Sequence, residues 1–119
     1  MSSLTPKALL IALEQRDGRR SAWTGNESDT LVPQHRANRG MGGRGSLDRL
    51  SNLVWLESDL NGLIESDPEW QQVAVARGIK ISGHQDPEDV EVRHAVHGLA
   101  LLTDDGDVIP VGPAVEVWS

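Results

Sequence analysis

The 119-residue chain contains no cysteine, no phenylalanine and no tyrosine. Without cysteine there is no disulfide framework and no thiolate metal site, so packing and hydrogen bonds must hold the fold. Without Phe or Tyr, the four tryptophans carry all the aromatic bulk. Long apolar runs are missing too. None approaches the roughly 18–20 residues that cross a bilayer, and the N-terminus lacks a secretory pattern. These absences exclude a membrane span and predict a soluble protein of the reducing cytoplasm.

What is present is a hydrophobic content of 38%, which supports a modest core in one domain spanning residues 1–119. Six prolines and 12 glycines predict a loop-rich fold rather than a smooth helical bundle. The net charge of −7 argues against nucleic acid as a partner for the whole surface. The charge is polarised, however. Residues 1–50 hold eight basic and five acidic side chains, a balance of +3, whereas residues 51–119 hold three and 13, a balance of −10. A basic N-terminal half could meet phosphate, and an acidic C-terminal half could meet a protein.

The pattern predicts an α+β chain. A first helix over 5–16 has Thr5 as cap, Pro6 in its first turn, Gly18 as stop and an apolar stripe of Leu9, Leu10, Ala12 and Leu13. Residues 30–33 are β-prone, with Pro33 marking an edge or a strand end. Residues 53–56 form a second short apolar strand or a helix entry, and 57–65 favour a helix weakened by Gly62. Asp67-Pro68 caps a further helix that runs to Arg77 and stops at Gly78. In it Trp70, Val73 and Ala74 are expected to share the buried face. From residue 79 onward strands dominate, with a hairpin around Asp104–Asp107 and a last strand at Val115, Val117 and Trp118.

One ordered constellation stands above this background. Gln34-His35-Arg36 is followed by Ser51-Asn52-Leu53, and Asn61 lies nine residues beyond Asn52. The run from His35 to Gly43 matches a His-Arg-x-x-Arg-Gly-Met-Gly-Gly pattern, and residues 51–56 and 61–66 follow at the expected places. In this order and spacing the chain resembles the HNH (ββα-metal) endonucleases, especially the small ones of bacteriophage genomes. The similarity spans about residues 20–112.

That resemblance implies a small ββα core flanked by the N-terminal helix and the C-terminal hairpin. It implies His35 as the general base on a DNA phosphodiester and Asn52 as the residue that shapes the hairpin and orients the base. It puts Gln34 and Asn61 at the two ligand positions for Mg²⁺ or Mn²⁺, and Arg36, Arg39 and Arg44 against DNA phosphates. It also implies a bacterial cytoplasm as the place of action. Two departures matter. The position before the base is usually Asp or His, and the last is usually His, so two neutral amides replace charged or imidazole ligands. Glu57, Asp59 or Glu65 is a candidate for the missing carboxylate. Many relatives also hold a structural zinc through paired cysteines. No such zinc is expected here, with Trp23, Trp55 and Leu60 filling its place by apolar packing.

The other signals have plainer explanations. His94 and His97, with His84, invite a zinc site, but residues three apart on a strand point to opposite faces. The glycine-rich run 38–46 is not a phosphate-binding P-loop, because no Gly-Lys-Ser/Thr follows. Asp104–Asp107 lacks the full register of a Ca²⁺ loop. Two functions stay open at this point: a metal-dependent DNA endonuclease or nickase, and a catalytically silent HNH-like protein that binds a host or phage protein through its acidic half.

Overall fold

The computed structural model describes residues 6–38 and 47–111, and the chain folds as an α+β protein with two small antiparallel sheets. Helix α1, Lys7–Asp17, ends where expected, because Gly18 takes the left-handed conformation (φ 70°) that closes a helix at low cost. Pro6 stands at its N-cap rather than inside it. Strand β1, Leu31–His35, pairs antiparallel with β2, Leu53–Glu57, in the register Leu31↔Glu57 to His35↔Leu53. Pro33 is tolerated because both strands of a two-stranded sheet are edges. A 3₁₀ turn at Leu50–Asn52 feeds β2.

Helix α2, Ser58–Ser66, follows β2 directly, and helix α3, Pro68–Ala76, starts after one residue. That residue is Asp67, whose Oδ1 accepts from the Glu69 N–H at 2.9 Å, as its capping role predicts. The second sheet has the order β3 (Val92–His94), β4 (Gly98–Leu102), β5 (Val108–Pro110), preceded by a 3₁₀ turn at Pro87–Asp89. The turn between β4 and β5 carries Asp104–Asp107, and the last strand expected at Val115–Trp118 lies outside the described residues.

The two faces of the β1–β2 hairpin build two cores. Residues opposite each other on antiparallel strands share a face, and neighbours along a strand alternate. Leu31, Leu53 and Trp55 therefore meet Leu13 of α1 and Leu50, with Leu9, Leu10 and Ala12 packed alongside. Val54 and Leu56 point the other way. They meet Leu60 and Ile64 of α2, Ala74 of α3, and Val92 and Leu102 of the second sheet. This division separates the tryptophans that were expected to fill one zinc-like position. Trp23 packs with the cluster holding Leu60, while Trp55 lies in the other, across the sheet. Trp23 instead stacks near Trp70, ring centroids 5.7 Å apart, with the Arg77 guanidinium 4.6 Å from its ring centre.

One further expectation is corrected. On α3 only Ala74 is buried, and Trp70 and Val73 are 37% and 47% exposed. Helical spacing identified one stripe, but a nine-residue helix packed mainly on α2 can bury only a narrow part of it.

After α3, Gly78 has φ +74° and lies against the backbone of Glu91, so an added Cβ would run into that carbonyl. Gly78→Ala is therefore expected to cost more than about 2 kcal/mol, from the left-handed penalty and the displaced backbone together. Urea unfolding of the variant measures this, and a change under 0.5 kcal/mol would contradict the close approach.

Candidate functional site

Of the residues that the HNH resemblance singles out, Gln34 and His35 stand on β1 and Asn61 on α2. Asn52 ends the 3₁₀ turn and is fully buried. A buried amide must satisfy its polar atoms, and this one does so by joining two segments. Its Oδ1 accepts from Ala37 N–H at 2.8 Å, and its Nδ2 donates to Ala37 O at 3.2 Å and Leu47 O at 3.0 Å. Its own carbonyl accepts from Arg36 N–H at 2.8 Å. Asn52 thus ties the chain just after His35 to the chain just before Asp48. His35, the last residue of β1, holds Asp48 Oδ1 with its Nε2 at 2.9 Å, and the two side chains are 23% and 32% exposed. Solvent can reach this pair.

Arg36 requires a correction. Expected at a phosphate, it is fully buried, and its guanidinium is spent on four backbone carbonyls. Nε donates to Gly78 O (2.9 Å), Nη1 to Ser51 O (2.9 Å) and Pro87 O (3.0 Å), and Nη2 to Val90 O (2.7 Å). Burial, then the nearby Arg16 charge, lower its pKa to about 10. It is an internal pin between four segments. Arg39 and Arg44 lie outside the described residues.

Much of the remaining basic half is also engaged. Arg49 bonds Asp104 Oδ2 at 2.9 Å and Asp86 Oδ1 at 3.0 Å; burial alone would lower its pKa, but these acids raise it. Arg20 pairs with Glu27, and the Arg19 guanidinium lies 4.9 Å from the Trp55 ring centre.

Gln34 pairs with Val54 and so shares the sheet face on which α2 packs, whereas His35 shares the opposite face with Leu53. Asn61 stands half-buried in the first half of α2. The proposed carboxylates do not complete a cation site with them. Glu57 pairs with Leu31, three rungs and about 10 Å along the hairpin from Gln34, and accepts from Thr24 Oγ1. Asp59 caps the backbone of Leu60, and Glu65 pairs with Lys80 at 3.6 Å. Mg²⁺ sheds water reluctantly and is held by carboxylates or substrate phosphate, so two amide oxygens at positions 34 and 61 do not fit it as a standing site.

A second cluster gathers His94 and His97 around Asp17, which the sequence did not single out. Asp17, the last residue of α1, is fully buried in its side chain and takes four hydrogen bonds. Arg16 Nε and Nη2 reach its two oxygens at 2.7 Å each, His94 Nε2 lies at 3.3 Å and His97 Nε2 at 2.7 Å. The histidines do converge, with ring centroids 4.6 Å apart, because residues 95–97 form a turn rather than continuing the strand. His84 is not among them.

Asp17, His94 and His97 each offer one ligand atom within 4.8 Å of the others, a spacing compatible with a metal ion. The hydrogen bonds favour a different use. Val96 N–H donates to His94 Nδ1 at 3.1 Å, so that nitrogen carries the lone pair and Nε2 carries the proton it gives to Asp17. A proton on Nε2 leaves no lone pair there for a cation. Both Asp17 oxygens already face the Arg16 fork. Burial opposes charge on Asp17, but the bonds from Arg16, His94 and His97 prevail and hold its pKa far below the carboxylate range. Burial depresses His94, against the pull of Asp17. The result is a carboxylate knot joining α1 to the β3–β4 turn.

Sequence reasoning missed Asp48 and Asp17. Asp48 lies next to the glycine-rich run, where no periodicity places it. Asp17 did leave a trace, because an acid in the last turn of a helix opposes the macrodipole and needs local cations. The chain matches no protein-family model, no curated protein and no solved structure.

Proposed function

We propose that this chain is an HNH-type DNA-interacting protein in which His35 acts as general base on a phosphodiester. The observation that carries this is the Asn52 bridge, which joins the end of β1 to the segment of Asp48 and leaves the His35 ring open to solvent. An imidazole fixed at a hairpin end can take a proton from water as that water attacks phosphorus. The amides at positions 34 and 61 bring no charge to the site.

The test is nicking of supercoiled plasmid with Mg²⁺, Mn²⁺ or EDTA, beside His35→Ala. Nicking by the wild type and a loss of at least about 100-fold in the variant are expected, the usual worth of a general base. Absence of nicking with every cation would overturn catalysis.

A second reading has its own support. With Arg36 buried, Arg49 held by acids and neutral amides at 34 and 61, a silent HNH-like protein that binds a host or phage protein through its acidic half also accounts for the surface. That reading gains if His35→Ala leaves function intact.

A further inference from the structure

We infer that Asp48 is the positioning residue of His35, and that the proton-accepting atom of the pair is His35 Nδ1 rather than Nε2. The inference rests on the reading of His35 as a base given above. A carboxylate accepts hydrogen bonds, so the 2.9 Å contact between Asp48 Oδ1 and His35 Nε2 puts the ring proton on Nε2. The lone pair is then on Nδ1, which has no hydrogen-bond partner among the described residues.

The pair is pre-formed from both sides. On the His35 side, Asn52 holds the Ala37 backbone through two hydrogen bonds, and the Ala37↔Ile81 bridge fixes that backbone from beyond. On the Asp48 side, Asn52 holds Leu47 O, while Arg49 is held by Asp86 and Asp104. Asp104 is itself held by Ser51, whose N–H donates to Oδ1 at 3.1 Å. Each flank of Asp48 is therefore anchored to a different part of the fold. Such support keeps a solvent-facing ring in one orientation, where a free surface histidine would rotate.

In the reaction, the oxygen of water bonds to phosphorus as one of its protons passes to Nδ1. The bond from phosphorus to the leaving sugar oxygen breaks, and that oxygen takes a proton from solvent. The imidazolium keeps its Nε2 proton on Asp48, whose negative charge offsets the new positive one, and then returns the Nδ1 proton to solvent.

The isosteric Asp48→Asn variant tests this by two independent readouts. The first is steady-state nicking. Asp48→Asn is expected to lower kcat about 100-fold, as misorientation of a catalytic group does, with KM for DNA within about twofold of wild type. Unchanged kcat, or a loss confined to KM, would overturn the assignment. The second is ring ¹⁵N NMR of the full chain, with the His35 signals assigned by their loss in His35→Ala. The wild type is expected to show a proton on Nε2 and a lone pair on Nδ1, and Asp48→Asn a mixture of both tautomers. A wild-type ring protonated on Nδ1 would overturn it. If the wild type does not nick DNA, the nuclease proposal falls, and the NMR alone decides whether Asp48 orients the ring.

Discussion

Asp17→Asn is expected to lower stability by about 3–5 kcal/mol, the usual cost of removing one partner of a buried ion pair. The variant keeps the side-chain shape but leaves the Arg16 guanidinium, 1% exposed, without its counter-charge. Arg16 also donates to Leu50 O at 2.9 Å and Leu53 O at 2.7 Å, so it cannot swing out to water without releasing β2 from α1. Urea unfolding gives the loss directly. Adding Arg16→Met should cost less than the sum of the two single changes, because the stranded charge is then gone. A single-variant loss below 1 kcal/mol would mean that the knot does not hold α1.

The same knot sets a pH dependence with one sign. His94 is depressed by burial below its ordinary 6.5, so the unfolded chain binds the proton more readily than the folded one. Its contribution is complete above pH 6.5 and is lost as the pH falls towards the depressed value. Asp17 is held far below its ordinary 3.8, so its contribution is complete above that pH and declines beneath it. Both groups destabilise the fold in acid. The midpoint of urea unfolding should begin to fall below about pH 6.5 and fall more steeply below about pH 4. In Asp17→Asn the steeper acid limb should flatten.

Arg36→Met is expected to cost about 4 kcal/mol or more, because four carbonyls lose their shared donor and each unsatisfied group costs at least about 1 kcal/mol. The acceptors come from three stretches of chain, at Ser51, at Gly78, and at Pro87 with Val90, so no one neighbouring group can replace the fork. Arg36→Lys should recover little, since an ammonium on a flexible stem cannot span the four acceptors. A phosphate-binding arginine would behave in the opposite way, with stability unchanged and a weaker dependence of DNA affinity on salt. Thermal unfolding beside DNA binding at two salt concentrations separates the two roles. An Arg36→Met protein as stable as wild type would return Arg36 to the DNA face.

Local signals read from the residues survive in the fold where the cause is local. Gly18 stops α1 because a left-handed residue is cheapest there, and Asp67 caps α3 with its own carboxylate. The turn at Asp104–Asp107 joins β4 to β5. Asn52, which the resemblance puts at the hairpin, bridges Ala37 and Leu47 with an amide that both donates and accepts.

Charge was legible as a balance along the chain but not as a set of partners. The sequence by itself determined the α+β class, the Gly18 stop, the Asp67 cap, the Asp104–Asp107 turn and the excess of arginines before residue 50, since propensity and capping act within a few residues. Only the tertiary structure decided which arginines face water. Arg36 is buried because four distant carbonyls needed a donor, and Arg16 because Asp17 needed a counter-charge. It likewise decided that a turn would bring His94 and His97 onto one carboxylate, and that Asp48 would meet His35 across 13 residues of chain. Pairings between buried polar groups depend on through-space distances of about 3 Å, which side-chain periodicity along a chain does not encode.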